Sequence, residues 1–443
     1  MTDTDQKKHQ IVIVGGGAGG LELATHLGKK LGRKKLADIT LIDASLTHIW
    51  KPLLHEVAAG TLNSYEDELS YLAHAHWNHF FFRLGKVDKL DRSNRIVSTA
   101  PTRDADGEEF IPRRDFHYDT LIFAVGSETN DFGIEGIREH CHFIDRRQQA
   151  DEFHQHLLRS FYAAHTQADD IRTGQLGIGI AGAGATGVEL AAELHDATRQ
   201  LALFGLDRVV PDRDIKISIL EAADRILPAL PERLTTHITK QLKDLGIDVL
   251  TNERIVKATA EGFYTESEKF IPAAIKVWAA GIKAPDFLKE LDGLETNRAN
   301  QLVVKTTLQT TRDENIFALG DCAACPMDAE QLVPPRAQAA HQMASTLFKT
   351  LQRRLQGKPA LEYRYVDYGS LINMSRYSTV GSLMGSVARK WSGSVLVEGL
   401  LARFMYYSLY KMHQVALLGL PRVMMNTLGD LIGRRNKPRM KLH

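Results

Sequence analysis

One pattern of apolar and polar positions occurs twice along the chain. Near the N-terminus a β-branched run, Ile11-Val12-Ile13-Val14, ends in Gly15-Gly16-Gly17-Ala18-Gly19-Gly20 and continues as Leu21-Glu22-Leu23-Ala24-Thr25-His26-Leu27. This order predicts strand, glycine turn and helix. The pattern returns where the apolar run Leu176 to Ala181 meets Gly182-Ala183-Gly184-Ala185-Thr186-Gly187 and then Val188-Glu189-Leu190-Ala191-Ala192-Glu193-Leu194. A further strand follows each copy: Ile39-Thr40-Leu41-Ile42 ends in Asp43, and Ile215 to Leu220 ends in Glu221. From first glycine to acid is 28 positions in one copy and 39 in the other, which predicts an insertion between Leu201 and Pro211. Three more apolar runs close on small residues: Tyr118 to Ser127, Val277-Trp278-Ala279-Ala280-Gly281-Ile282, and Asn315 to Asp321, where Asp321 follows Gly320.

The end of the chain has another pattern. Between Val395 and Leu431 short apolar stretches such as Phe404-Met405-Tyr406-Tyr407 and Val415-Ala416-Leu417-Leu418 are interrupted by Arg403, Lys411, His413 and Arg422. A helix of this kind has one apolar and one basic face, and lying in a membrane surface satisfies both. Trp391 and the tyrosines suit the interface level, and Arg434, Arg435, Lys437, Arg439 and Lys441 add a polybasic end toward anionic headgroups. An amphipathic dimer interface or a core helix, with a solvated tail, is the other reading of this pattern. The longest uncharged stretch here, Met412 to Pro421, is far short of the roughly 18 to 20 apolar residues of a spanning helix.

Composition narrows the class. A length of 443 residues predicts two or three domains, and 44% hydrophobic with 25% charged residues is ordinary for globular proteins. The net charge of +1 gives no reason to expect nucleic acid, but it conceals an asymmetry: residues 386–443 carry +8 and residues 1–385 carry −7. Three cysteines, Cys141, Cys322 and Cys325, make no disulfide framework and suit a reducing compartment. The polar start, Met1 to Gln10, runs directly into a strand with no secretory pattern, which predicts a cytosolic chain.

The glycine turns carry the chemistry. In the first, Gly15 tightens the turn, Gly17 admits a pyrophosphate to the backbone and Gly20 allows close helix packing, while the helix N-terminus offers its N–H groups to phosphate. Gly182, Gly184 and Gly187 take the same roles in the second. Asp43 and Glu221 stand where a ribose diol would donate to a carboxylate. An acid at Glu221 favours NADH over its 2′-phosphorylated counterpart, with Arg225 nearby weakening the preference. Two such units imply two cofactors exchanging electrons, or a duplication with one dead site; both copies keep three glycines and the acid, which favours the former. No metal set is evident.

The five blocks, in this order, resemble the two-dinucleotide-domain flavoproteins. The resemblance implies an α/β fold with two Rossmann-like dinucleotide-binding domains, the NADH domain inserted in the FAD domain. It implies one non-covalent FAD held by Gly15, Gly17, Gly20, Asp43, Ala124, Gly126 and Asp321, with Asp321 at the start of a helix beginning near Cys322. NADH would be held by Gly182, Gly184, Gly187, Glu221, Ala280 and Gly281.

The electron acceptor follows from what stands beside these blocks. Thr47 to Glu56, where disulfide reductases carry their redox pair, has no cysteine. Cys322-Ala323-Ala324-Cys325 has the spacing of a redox dithiol but also reads as a pair of inert small residues. Gln338 and Gln342 share one helix face among Ala337, Ala339, Ala340 and Ala344, a surface that could hydrogen-bond quinone carbonyls or simply pack closely on FAD. Together with Trp50-Lys51-Pro52-Leu53-Leu54-His55-Glu56, the run Ala337-Gln338-Ala339-Ala340-His341-Gln342 is similar to the quinone motif Ala-Gln-x-Ala-x-Gln of the type II NADH dehydrogenases. Met343 stands where many members carry another Gln.

That resemblance spans essentially the whole chain and implies NADH:quinone oxidoreduction; with no spanning helix to carry protons across a bilayer, no proton pumping is expected. Gln338 and Gln342 would lie at the quinone, with Gln338 also beside FAD, and Lys51 near the flavin or its phosphates, His48 and His55 being weaker candidates. Glu189 would orient the nicotinamide or pass a proton, although a first-turn glutamate also suits the helix dipole. The expected domains are 9–145 plus 300–345 for FAD, 146–299 for NADH, and a C-terminal amphipathic helical membrane-association domain at 346–443. Expected partners are NADH, a membrane quinone (ubiquinone or menaquinone) and an anionic lipid surface at the cytoplasmic face of a bacterial inner membrane, with a homodimer left open. The alternatives are a soluble FAD-dependent NADH reductase serving a disulfide or iron–sulfur acceptor, and an NAD(H)-sensing flavoprotein.

Overall fold

The computed structural model describes residues 8–63, 68–104, 106–328, 331–383 and 395–433. The chain opens with β1 (His9–Val14), α1 (Ala18–Leu27), β2 (Ala37–Asp43), α2 (Leu54–Ala59), α3 (Tyr71–Trp77), β3 (Phe81–Leu84) and β4 (Thr120–Phe123). It continues through α4 (Arg147–Thr166), β5 (Ile178–Ala181), α5 (Ala185–Leu203), β6 (Ile217–Leu220), α6 (Glu232–Asp244), β7 (Asp248–Leu250) and β8 (Ile275–Trp278). It closes with β9 (Ile316–Ala318), α7 (Ala337–Arg354), β10 (Ser370–Met374), β11 (Ser378–Leu383), β12 (Val395–Glu398), α8 (Leu400–Leu418) and α9 (Leu420–Gly433). These elements group into two compact units: Met1–Trp50, Glu68–Glu128 and Ile282–Val366 form one, and Lys51–Asp67, Thr129–Gly281 and Asp367–His443 the other.

The first unit is built on a parallel sheet in the order β9-β4-β1-β2-β3. Ile11 to Val14 are all buried, as befits an uninterrupted apolar strand covered on both faces. The register sets Ile13 beside Ile122 and Ile122 beside Phe317, so β4 and β9 carry their terminal small residues to the edge where β1 ends in glycine. Helix α7 buries Ala339, Ala340, Met343, Ala344, Leu347 and Leu351, an apolar stripe at helical spacing, and α1 runs along it. A side chain at Gly19 would meet the Ala340 carbonyl at 2.9 Å, so the small residues permit the close pairing of these helices.

The second unit repeats the plan with a parallel sheet ordered β7-β6-β5-β8. Its core gathers Ile137, Ala181, Leu220, Phe263 and Trp278. Helix α1 continues as a π-helical turn at Gly28–Gly32 and β2 starts at Ala37, whereas α5 ends at Leu203 and a short helical turn at Pro211–Asp214 precedes β6, so most of the extra residues of the second copy follow Leu203 and extend past Pro211. The α/β class with paired Rossmann-like sheets is therefore borne out.

The C-terminal part of this unit adds an antiparallel sheet, β10-β11-β12, beneath α8. Helix α8 buries Ala402, His413 and Leu417 and leaves Leu400, Leu401, Phe404 and Met412 exposed. Helix α9 exposes Leu420, Met424, Met425 and Leu428. Among the described residues no helix is long and apolar enough to cross a membrane. Trp391 and the basic positions Arg434, Arg435, Lys437, Arg439 and Lys441 lie outside the described residues.

One expected element is corrected. No helix begins near Cys322: Gly320–Cys322 forms a single 3-10 turn, and Ala323–Ala324 is a strand paired in parallel with Leu302–Val303. Pro326, Pro334 and Pro335 each lack an N–H and restrict the residue before them, so the helix starts only at Ala337, after Arg336.

Candidate active site

The first glycine turn is a backbone cradle. Gly15 has φ +101, and a Cβ there would lie 2.5 Å from the Ala124 carbonyl oxygen; at Gly20 it would lie 2.0 Å from the Gly15 carbonyl. Around Gly17 the nearest atom to such a Cβ is 3.9 Å away, which leaves the backbone open for an anion to approach. Asp43 is held by two amides, accepting from Gly16 N at 2.6 Å and from Ser45 N at 2.8 Å. A carboxylate oxygen can accept more than one hydrogen bond, so an acid anchored in this way can also take a ribose hydroxyl. The Gly16 carbonyl accepts from the Tyr71 hydroxyl at 2.7 Å and from His48 Nδ1 at 2.9 Å. Burial brings His48 down to about 4, so the ring is neutral.

Ala124 and Gly126 follow β4 beside this cradle, and the third block joins them: Ser127 Oγ donates to Asp321 Oδ2 at 2.8 Å, and Gln301 Nε2 donates to the Asp321 carbonyl at 2.9 Å. The structure thus brings Gly15, Gly17, Gly20, Asp43, Ala124, Gly126 and Asp321 to one edge of the first sheet. Lys51 falls in the second unit, where its Nζ is 3.5 Å from Asp145 Oδ1.

The second cradle repeats the first. Gly182 has φ +99 and would clash with Ala280 at 2.8 Å, and a Cβ on Gly187 would sit 2.0 Å from the Gly182 carbonyl. Glu221 accepts from Ala183 N at 2.8 Å and Ala223 N at 2.9 Å, the same double anchoring as Asp43. Arg225 donates to the Pro228 carbonyl at 3.0 Å. Ala280 and Gly281 follow β8 beside the turn, with a Gly281 Cβ excluded by the Phe132 ring at 2.4 Å. Gly184 has open space within 4 Å of its would-be Cβ. Gly184→Ala is therefore expected to keep the melting temperature of the wild type yet raise the NADH dissociation constant about tenfold or more, read by titration against thermal denaturation. Loss of fold with loss of binding would assign Gly184 a packing role instead.

One helical turn into α5, carboxylates are buried where sequence placed one functional acid. Glu189 accepts from Asn373 N at 2.9 Å, and its other oxygen lies 4.0 Å from His55 Nδ1. Burial, and then Glu56 and Glu193, push its carboxyl up to about 8 against the pull of the Asn373 amide. Glu193, also raised by burial, receives hydrogen bonds from Thr61 and Ser375. Burial lowers His55 to about 4, and its Nε2 is buried with no hydrogen-bond partner among the described residues. The Tyr406 side chain of α8 enters the same cluster; burial and the carboxylates of Glu189, Glu56 and Glu193 raise its hydroxyl pKa. Such a group holds protons at neutral pH in a place from which water is largely excluded. Sequence reading named Glu189 but not Glu193, Asn373 or Tyr406; the i, i+4 spacing of Glu189 and Glu193 was the available signal.

In the first unit, Gln338 Nε2 donates to the Tyr365 hydroxyl at 2.8 Å. Gln342 is engaged at both ends: its Nε2 donates to the Val366 carbonyl at 2.8 Å and its Oε1 accepts from Val366 N at 3.0 Å. Met343 is buried, and its sulfur lies 3.2 Å from Gly320 N. Cys322 and Cys325 are free and buried, and burial raises each thiol to about 11, the opposite of a redox thiolate. Among the described residues no group of His, Cys, Asp and Glu has the arrangement of a metal site.

The family profile of pyridine nucleotide-disulphide oxidoreductases matches residues 9–344. The chain is 43% identical to a type II NADH:quinone oxidoreductase of Haemophilus influenzae over 98% of this chain and 99% of that one. It is 31% identical to the type II NADH:quinone oxidoreductase of Staphylococcus aureus over 86% of this chain and 91% of the relative. Its fold is similar to that of NDH2 from Plasmodium falciparum in complex with NADH, with a TM-score of 0.80 at 19% identity, covering 98% and 100% of the two chains. It is also similar in fold to the sulfide:quinone oxidoreductase of Aquifex aeolicus, with a TM-score of 0.74 at 17% identity over 97% and 96%.

Proposed function

The chain belongs to the type II NADH:quinone oxidoreductases, within the pyridine nucleotide-disulphide oxidoreductase family, and from that premise we propose how its residues divide the work. The reaction is NADH + H⁺ + quinone giving NAD⁺ + quinol, in an enzyme with one bound FAD. Bound FAD supplies two-electron redox chemistry between a hydride donor and a quinone. The first cradle suits FAD: Gly17 admits the pyrophosphate, Asp43 takes the adenosine ribose, and Ala124, Gly126 and Asp321 line the edge of the sheet that continues from it. Gly182, Gly184, Gly187, Glu221, Ala280 and Gly281 hold NADH. The single observation that carries this assignment is the doubling of one device, a glycine turn with an acid anchored by two amides.

We assign the proton that the reaction consumes to Glu189, which holds it at neutral pH while Asn373 fixes the orientation of its carboxyl. Gln338 faces the quinone and flavin; Gln342, with both ends of its amide on Val366, supports that surface by holding the following segment against α7. Residues 9–145 and 300–345 serve FAD, 146–299 serve NADH, and 346–443 serve a membrane surface. The exposed apolar residues of α8 and α9, set beside Arg403, Lys411 and Arg422, support seating on anionic lipid at the cytoplasmic face of the inner membrane, as a monomer or homodimer, without proton pumping. Lys51 is assigned to the flavin region by family resemblance. Its partner Asp145, which also accepts from Thr129, fixes it locally.

Stopped-flow kinetics test the quinone assignment. Gln338→Ala is expected to leave flavin reduction by NADH within about twofold and to slow reoxidation by a soluble quinone about tenfold, the loss of one charge-polarising hydrogen bond. The reverse result, slow reduction with normal reoxidation, would place Gln338 at the nicotinamide rather than the quinone.

A further inference from the structure

The two cradles differ at two residues, Gly16 against Ala183 and Gly19 against Thr186, and the first difference has a cause. The second residue of the turn is Gly16 in the first and Ala183 in the second. A Cβ on Gly16 would lie 2.5 Å from the Tyr71 hydroxyl oxygen and 2.6 Å from the ring carbon that bears it. Tyr71 thus occupies the space that the alanine methyl takes in the other copy, and it does so to reach the Gly16 carbonyl. His48 reaches the same carbonyl from the short strand Thr47–His48. In the second cradle the corresponding carbonyl, that of Ala183, is held by a backbone donor, Leu227 N, at 2.9 Å. Both turns therefore restrain the same peptide, one by a main-chain amide and the other by two side chains.

This peptide is the one that matters for an anion. A trans peptide carries its C=O and the following N–H on opposite sides of one plane. Tying back the Gly16 carbonyl consequently aims the Gly17 N–H the other way, into the open side of the turn where a phosphate approaches the helix N-terminus. We infer that His48 and Tyr71 are positioning residues for the FAD pyrophosphate, holding the Gly16–Gly17 peptide in the orientation that presents the Gly17 N–H. The inference rests on the assignment of the first cradle to FAD. It accounts for two turns of like sequence serving different ends: two side-chain donors hold the turn ready for a resident cofactor, and one main-chain donor holds the turn of the exchanging one.

The supporting details agree. Tyr71 is buried and stacks on Phe82 with ring centroids 5.1 Å apart, so its hydroxyl is held in place by packing. His48 is buried and neutral, with Nδ1–H as donor to a carbonyl that can only accept. Gly16 N is tied to Asp43, which fixes the other end of the residue and links the pyrophosphate turn to the ribose acid.

The test uses holoenzyme and follows FAD release by its fluorescence, together with the ³¹P resonances of the bound pyrophosphate. Tyr71→Phe removes one donor and keeps the stacked ring; His48→Leu removes the other, and His48→Gln restores an N–H donor. A net hydrogen bond is worth about a factor of five in affinity, so each loss should speed FAD release about fivefold and the double variant about 25-fold. The FAD ³¹P resonances should shift in Tyr71→Phe and His48→Leu, with His48→Gln recovering most of the retention, while the dissociation constant for NADH stays within twofold. A merely structural role would weaken NADH binding in parallel and show no rescue by Gln, and that pattern overturns the inference. So does FAD release within twofold of wild type with unmoved phosphorus resonances in both single variants. Failure of the underlying reading shows separately, as a wild-type protein that retains no FAD.

Discussion

Glu189→Gln is expected to lower kcat for NADH oxidation by a soluble quinone about 100-fold or more, within the range seen when a positioned general acid is removed. Glutamine keeps the shape of the side chain and can still accept from Asn373 N, so binding and packing survive while the transferable proton does not. The pH profile separates this from a steric effect. A carboxyl raised to about 8 is protonated and competent below that value, so the wild-type rate should fall as pH rises past 8, and the variant should lack this limb. Retention of the limb in Glu189→Gln would transfer the titration to the other buried carboxyl of the cluster, Glu193.

The same shift has a stability consequence of definite sign. The unfolded chain ionises this carboxyl near 4.5, whereas the folded protein holds it protonated to about 8. Its contribution to stability is therefore complete below 4.5 and is lost progressively as pH rises toward and through 8. Glutamine has no such dependence. Thermal denaturation should show wild type and Glu189→Gln melting together near pH 4.5, with the variant melting higher at pH 9. A wild type that loses nothing relative to the variant at pH 9 would mean that the carboxylate is already accommodated in the fold. The enzyme accepts this destabilisation at alkaline pH because a solvated glutamate at this position would be ionised at pH 7 and unable to give a proton.

What the sequence revealed and what it concealed divide along the distance between interacting residues. Both glycine turns were legible because strand, turn, helix and acid lie within a few tens of residues and each part has its own chemical reason. Asp43 and Glu221 fell where expected, at the ends of β2 and just after β6. The proton-holding cluster was not legible beyond Glu189, since Asn373 is 184 residues away along the chain and Tyr406 lies on α8, whose amphipathic pattern does not say which buried groups it meets. Tyr71 gave no signal either: it stands at the start of a short helix, 55 residues from the carbonyl it serves. The misplaced helix at Cys322 came from the family resemblance; in its place stand a 3-10 turn and a strand, and the prolines delay the helix to Ala337. Gln342 had the right spacing to share a face with Gln338, yet spacing could not show that its amide would also exchange two hydrogen bonds with the Val366 backbone.

The double substitution Leu401→Glu/Phe404→Glu is expected to weaken binding to anionic vesicles about 100-fold or more in a flotation assay. Both side chains stand on the solvent face of α8, with 62% and 72% of their surface exposed, while Ala402, His413 and Leu417 anchor the helix to the protein. Leaving two large apolar groups in water costs about 1.5–3 kcal/mol each relative to burying them, and lipid is the apolar phase a quinone reductase must approach. The substitutions remove that gain and add two charges that repel anionic headgroups. Arg403, Lys411 and Arg422 act in the opposite sense, so wild-type binding should weaken with salt and be poorer on zwitterionic vesicles, whereas a purely apolar seat would be indifferent to both. Turnover with a quinone embedded in the vesicle should fall more steeply in the double variant than turnover with a soluble quinone, because only the former requires the enzyme to reach the bilayer. If the double variant floats with anionic vesicles as well as the wild type does, α8 is not the membrane seat, and its exposed leucines and phenylalanine cover another protein surface instead.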